Sequence, residues 1–333
     1  MLYPLSLLYF ALHKIKQHFN SRNQFRAACK IISIGNITAG GSGKTPLTIA
    51  IAKAMTERGT KLAISHRGFK GKYEHSMKIV LGSILDEDAL SLGDEAYMFS
   101  NALPQTPVAV GKDRKLAIIS LLKLYPDLDL IILDDSLQNR KVFHDLDIVV
   151  FSEDYGIGNG FLLPAGYLRE PVSSINKEQI VVISSKGFAN NPEFEQSLKK
   201  QGIKPLHSRV RVKGLFTASG KELDPVELDK PILISGIGNP QSFEETARTI
   251  GIDFLKHYRY PDHYNFVDVS AILDDIKANP QQQFICTHKD LDKLLHKDEL
   301  NDRLSYIEIE ADTVENGLIE LILERLALDT RTE

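Results

Sequence analysis

Tryptophan is absent from the 333 residues, and cysteine occurs only at Cys29 and Cys286. Two thiols so far apart exclude a disulfide scaffold and fit a reduced, cytosolic protein. Repeats and low-complexity tracts are also missing, and no apolar run reaches the ~20 residues needed to span a bilayer. Acidic residues are lacking at the start: none precedes Glu57, whereas Lys14, Lys16, Arg22, Arg26, Lys30, Lys44 and Lys53 do. The net charge of −4 gives no overall pull toward nucleic acid, so no nucleic-acid partner is expected. The basic start instead points to an anionic surface or ligand near the N-terminus. What is present, 43% hydrophobic and 25% charged residues, suits a soluble chain with enough core for two domains. Nothing in it indicates an oligomer.

Residues 1–12, MLYPLSLLYFAL, are almost wholly apolar and are followed by the basic HKIKQHFNSRNQFR. A secretory signal carries its positive charge before the apolar run, so the order here is reversed. An interfacial helix fits, with leucines and aromatics in the acyl boundary and the basic residues on anionic headgroups. The plainer alternative is a helix packed on the protein's own core.

Short apolar runs alternate with helical stretches. KIISIG (30–35) reads as a strand feeding a helix over 45–59, with Pro46 in its first turn. Further strands are expected at 61–65, 107–110, 128–133, 146–151 and 179–184, apolar along their whole length as in a parallel sheet covered on both faces. A second set follows at 231–236, 283–287 and 306–310, with helical patterns at 241–250, 266–278 and 314–328. Between the sets, HSRVRVKGLF alternates like a half-exposed strand and marks a domain boundary. The expected fold is α/β: a P-loop NTPase-like parallel sheet flanked by helices over 1–206, and a smaller α/β domain over 207–333, joined by a strand hinge.

The stretch SIGNITAGGSGKTPLT (33–48) has the physics of a phosphate loop. A strand leads to small residues (Gly40, Gly41, Ser42, Gly43), and a helix starts at Lys44–Thr45. Backbone N–H groups and the positive helix end then converge on phosphate oxygens. Lys44 is placed to bridge β- and γ-phosphates, and the Thr45 hydroxyl to hold Mg²⁺. One position departs from G-x-x-x-x-G-K-[ST]: Thr38 stands where glycine is usual. Asp134 and Asp135, closing LDLIILDD, supply the carboxylates such a loop needs for Mg²⁺. THKD (287–290) is similar to a guanine-selecting N/T-K-x-D, but Lys289 sits one place late, which favours ATP.

Taken together, LYPLSLLY (2–9), GNITAGGSGKTP (35–46), RGF (67–69), GDE (93–95), DDSLQ (134–138), LLPAGYLRE (162–170), GIGNP (236–240), PDHYNF (261–266) and THKD resemble the tetraacyldisaccharide 4′-kinases, the lipid A 4′-kinases, in the family's order. The resemblance implies transfer of the ATP γ-phosphate to the 4′-hydroxyl of a lipid A disaccharide precursor. It implies work at the cytoplasmic face of the inner membrane, as a peripheral protein, with the site in a cleft between two domains. Position by position, Asp94 matches the family's catalytic aspartate and His263 the histidine paired with it. Glu95, Asp134, Asp135, Gln138 and Glu170 match other polar site positions, as does Arg114 of VGKDR. A carboxylate beside a sugar hydroxyl orients it and takes its proton late, with an imidazole fixing or sharing that proton. On that reading Asp94 is the base and His263 its partner from the other domain.

Some residues depart from the family. DDGFQH is DDSLQN here (Ser136, Leu137, Asn139), DHH is Asp262-His263-Tyr264, TEKD has His288, and SRGY is HRGF with His66 and Phe69. Two other readings remain: a P-loop regulatory or metal-delivery ATPase, and a P-loop kinase of a soluble small molecule. The first leaves the N-terminus and PDHYNF without a task; the second makes the N-terminal segment core.

Overall fold

The computed structural model describes residues 2–82, 88–187, 191–312 and 317–328. In chain order the first part holds α1 (Tyr3–Ser21), β1 (Lys30–Gly35), α2 (Lys44–Glu57), β2 (Leu62–His66), β3 (Lys78–Leu81), α3 (Ala89–Leu92), α4 (Asp94–Ala102), β4 (Pro107–Val110), α5 (Arg114–Leu124), β5 (Leu130–Asp134), β6 (Leu146–Ser152) and β7 (Ile180–Ser185). Then come α6 (Pro192–Lys200), β8 (Leu206–Thr217), β9 (Glu222–Leu223), β10 (Ile232–Ser235), α7 (Pro240–Thr249), β11 (His257–Arg259), α8 (Ser270–Ala278), β12 (Phe284–Thr287), α9 (His288–Leu295), β13 (Leu304–Asp312) and α10 (Leu318–Leu326).

Among the described residues the strands form one sheet, in the order β11-β10-β12-β13-β8-β7-β6-β1-β5-β2-β4-β3, with β9 paired to β8. From β7 to β4 the pairs are parallel, and β3 closes that edge antiparallel to β4. Strand periodicity explains the two covered faces. Ile32 and Ile34 of β1 and Ile132 of β5 pack with Leu47, Ile51 and Met55 of α2. Their neighbours Ile31, Ile131 and Leu133 face the other way, onto Ala117, Ile118 and Leu121 of α5. Each such side chain contributes about 1.5–3 kcal/mol by leaving water, and a one-residue slip of register would exchange the two faces.

β8 joins this half to the rest. Its first residues run parallel to β7, and Arg209–Thr217 pair antiparallel with β13. Beyond it β10, β11, β12 and β13 are mutually parallel, around a separate core of Phe266, Ile272, Phe284, Leu294 and Leu304. The half-exposed character expected of HSRVRVKGLF holds: Ser208 and Val210 are buried while their neighbours are open. The helical pattern at 266–278 begins only at Ser270; a turn at Asp262–His263 is followed by irregular chain to Val269. That at 314–328 is helical over Leu318–Leu326, while 314–316 lie outside the described residues.

α1 has an inverted distribution of polarity. Leu5, Leu8, Leu12, Ile15 and Phe19, spaced alternately three and four apart, form one stripe and are between 51% and 66% exposed. The face toward the protein is polar. Ser6 Oγ donates to Leu162 O (2.9 Å) and accepts from Ala165 N (3.1 Å); Tyr9 Oη donates to Arg169 O at 3.3 Å. The alternative of α1 as a core-packed helix therefore fails for its apolar stripe. No helix among the described residues is long and apolar enough to cross a membrane.

Candidate active site

The phosphate-type loop leaves the C-terminal end of β1, a central strand flanked by β5 and β6, where α/β sheets open a crevice. Gly40 (φ 111°) and Gly43 (φ 77°) take left-handed conformations that favour glycine. A Cβ added at Gly40 or Gly41 would meet nothing within 4 Å, so this side of the loop is open to a ligand. Asn36 braces the loop from inside by donating to Ser42 Oγ at 3.1 Å and Gly40 O at 3.4 Å. Thr38 has an extended role: it forms an antiparallel bridge with Leu168, with Ala39 N to Tyr167 O at 2.7 Å and Arg169 N to Ile37 O at 2.6 Å. The usual glycine is not required there, and the bridge delivers Arg169 and Glu170 to the loop.

Lys44 and Thr45 begin α2. Lys44 Nζ lies 3.5 Å from Asp135 Oδ1, and Arg169 Nη1 reaches the same oxygen at 3.5 Å. Burial pushes Asp135 up, but Lys44 and then Arg169 outweigh it and hold the carboxyl at about 2. Asp134 is buried and accepts from Thr48 Oγ1 at 3.0 Å. Desolvation and then Asp135 raise it to about 7, against Lys44 and Thr48. Two adjacent hard-oxygen donors that resist joint ionisation are a fitting pair for a divalent cation opposite a triphosphate.

The other polar positions pack around the carboxylate turn and the phosphate loop. Arg114 is 4% exposed and wholly engaged, with Ser136 Oγ (2.9 Å), Asp134 O (2.9 Å) and Gly111 O (3.1 Å). It braces the carboxylate turn from behind, and Ser136, one of the family departures, is its partner. Gln138 donates to Asn36 O at 3.0 Å, tying that turn to the phosphate loop. His66 accepts from Gly68 N at 3.0 Å on Nδ1, which leaves Nε2–H toward Asp134 Oδ2 at 3.7 Å. Burial holds its imidazole down at about 4, so it is neutral. Glu170 is buried, with Oε1 free of hydrogen bonds and 3.7 Å from His13 Nε2 of α1.

Asp94 and His263 meet. Asp94 opens α4, and His263 lies in the turn after β11 at φ 57°, held by its N–H to Gly236 O at 3.0 Å. His263 Nδ1 is 2.8 Å from Asp94 Oδ2, and its Nε2 is 3.8 Å from Glu95 Oε1. Phe69 packs edge-on against the same imidazole at 5.3 Å. Glu95 also raises Asp134 electrostatically, which links this pair to the carboxylate turn.

Sequence reasoning missed Lys293, Arg169 and Thr48 as site residues, and treated Lys289 only as a misplaced guanine motif. Asp290 of THKD is fully buried and accepts from Gly236 N at 3.0 Å and Thr287 Oγ1 at 2.7 Å, so it serves the fold and faces no base. Lys289 and Lys293, four apart on α9, did carry a readable sign: two cations on one helix face directly after a polar turn.

Residues 1–327 match the family model described as tetraacyldisaccharide-1-P 4′-kinase. Similar proteins include the tetraacyldisaccharide 4′-kinases of Syntrophus aciditrophicus, 31% identical over 93% of this chain and 88% of the relative, and of Chromobacterium violaceum, 34% identical over 90% and 85%. Among solved structures, LpxK from Aquifex aeolicus in complex with ATP superimposes with a TM-score of 0.76 at 25% identity, covering 98% of each chain.

Proposed function

The chain belongs to the tetraacyldisaccharide-1-P 4′-kinase family, and from that premise we propose how its residues move the γ-phosphate of ATP to the 4′-hydroxyl of a tetraacylated glucosamine disaccharide 1-phosphate. The observation that carries the reading is the Asp94–His263 contact of 2.8 Å, made between residues 169 positions apart. A regulatory ATPase has no use for such a pair.

Lys44 and the N–H groups of residues 40–45 bind the β- and γ-phosphates. Thr45, Asp134 and Asp135 are the residues that would hold Mg²⁺, which when bound neutralises charge on the phosphate oxygens. The sugar hydroxyl enters beside Asp94 and His263. Its oxygen bonds to the γ-phosphorus, the β–γ bridging P–O bond breaks with its electron pair on ADP, and the hydroxyl proton passes to the Asp94–His263 pair. Such a transition state needs alignment more than a strong base, so late proton transfer suffices. Glu95 and Glu170 line the approach, Gln138 holds the carboxylate turn to the loop, and Arg114 keeps that turn in shape.

Residues 1–206 act as the kinase core and 207–333 as a smaller domain on the β8 hinge. Movement at this hinge would open the Asp94–His263 contact to admit the acceptor and re-form it over the nucleotide, excluding water. α1 lays its exposed stripe into the acyl boundary of an anionic surface, the cytoplasmic face of the bacterial inner membrane, where the acceptor resides. The direct experiment supplies radiolabelled ATP and purified disaccharide lipid. Label at the 4′-oxygen is expected; hydrolysis of ATP with none on the lipid would return the regulatory reading.

A further inference from the structure

Lys293 is 2% exposed, an unusual place for an ammonium group. Its Nζ lies 2.5 Å from Asp94 Oδ1 and donates to Tyr264 O at 3.3 Å, the carbonyl next to His263. One turn earlier on α9, Lys289 Nζ is 3.3 Å from Glu95 Oε1, 3.3 Å from Asp262 Oδ1 and 3.7 Å from Asp94 Oδ2. It also stands 3.4 Å from His263 Nε2. A buried pair of this kind is a poor way to gain stability, since apolar side chains of the same size do as well or better. Its value lies in geometry.

Asp94 has two oxygens, and His263 takes only Oδ2. With Oδ1 free, the carboxylate would rotate and the imidazole contact would be one of several. With Oδ1 held by Lys293, Oδ2 stays in line with Nδ1. Because Lys293 also holds the Tyr264 carbonyl, both members of the pair are fixed to one ammonium. Resting on the kinase reading above, we propose that Lys293, seconded by Lys289, is a positioning residue: α9 clamps Asp94 to the PDHYNF turn in the geometry that accepts the acceptor's proton. The charge balance agrees. Burial raises Asp94, but the His263 bond, Lys289 and Lys293 outweigh it and hold the carboxyl at about 2.

The test uses the full chain, radiolabelled ATP and the disaccharide lipid in mixed micelles. Lys293→Met is expected to lower kcat about 100-fold, the cost of an ångström-scale misplacement, while KM for ATP changes by less than about twofold. The acid limb of the kcat profile moves to higher pH, because Asp94 loses a cation that favoured its ionised form. Lys289→Met moves the limb the same way by less. On an Asp94→Asn background, Lys293→Met adds no further loss, because the lysine acts through that carboxylate. A wild-type rate and an unmoved limb in both variants overturn the clamp, as does full multiplicative loss in the double variant. Lys289, less deeply buried, keeps the question open to measurement if Lys293→Met does not fold: an unmoved limb in Lys289→Met then overturns it. If the wild type places no label on the lipid, the failure belongs to the kinase reading and not to the clamp.

Discussion

Single side chains at the two strand ends carry opposed demands of folding and chemistry. Lys44 is the cation nearest Asp135 in α2, at 3.5 Å. In the kinase reading it exchanges that partner for phosphate oxygens, and Lys44→Ala is expected to lower turnover by about 10²–10³, the usual cost of one preorganised donor. A steady-state assay checks this, and a near-normal rate returns the loop to a structural turn. Asp134 shows the opposite side of the same design. Its folded carboxyl sits at about 7 against an ordinary 3.8. The folded state therefore binds the proton more tightly than the unfolded one, and stability falls as pH rises between those values. Asp134→Asn removes that penalty. In cation-free protein its Tm should match wild type below pH ~4, then exceed it by an amount that grows up to pH ~7 and levels off, while kinase activity is lost. Equal melting curves at pH 8 would argue against a buried, reluctant carboxyl.

At the scale of elements, α1 is the helix whose outward face is its apolar one. Five large side chains keep more than half of their surface in water, each forgoing roughly half of the about 1.5–3 kcal/mol that full burial would contribute. Leu8→Asp with Leu12→Asp, on the stripe and away from the Ser6 and Tyr9 contacts, should weaken partition into anionic vesicles on the order of 100-fold and leave ATP affinity unchanged. Undiminished vesicle binding in a flotation assay would assign the stripe to some other partner. A helix at the N-terminus was plain in the sequence, but its bounds and orientation were not: the apolar run ends at residue 12 while α1 continues to Ser21, and the polar contacts to 162–169 decide which face turns inward. The wholly apolar strands β1, β4, β5, β6 and β7 were legible because burial on both faces leaves no polar position to blur them. β3 and β11 were not, being short edge strands paired on one side only. The loop lysine and both aspartates were readable from local order, strand then glycines then helix. Asp94 and His263 were not readable that way; their pairing depends on contacts between distant segments and came from the ordered motifs. Lys293 belongs to the same class: its spacing four residues after Lys289 was visible, but its contact with Asp94 was not.

Across the whole molecule, the C-terminal ends of two groups of parallel strands lie on either side of the Asp94–His263 contact. β1, β2, β4 and β5 present the loop, His66, Arg114 and Asp134 from one side; β10, β11 and β12 present Gly236, His263 and Lys289 from the other. The continuous sheet leaves β8 as the main covalent and hydrogen-bonded joint between them, and on the proposed hinge the side-chain ties between the two groups decide how firmly it closes. Two more are made without Asp94 or His263, the second of them on the same α9 that carries Lys293. Lys186 Nζ donates to Ser242 Oγ at 2.6 Å, and Ala89 N donates to Asp292 Oδ2 at 2.8 Å. His296 reaches Asp88 at 3.4 Å beside the second tie. Neither Lys186 nor Asp292 touches the phosphate loop or the Asp94–His263 pair. Lys186→Met combined with Asp292→Ala should therefore spare nucleotide binding and loosen closure. Water then competes with the sugar alcohol for the γ-phosphate. The expected result is a several-fold rise in ATP hydrolysed per lipid phosphorylated, on the order of 3–10. Measuring free phosphate and labelled lipid in one reaction gives that ratio directly. An unchanged ratio with lowered affinity for ATP would mean that these ties support the nucleotide site itself and that water is excluded by the acceptor alone.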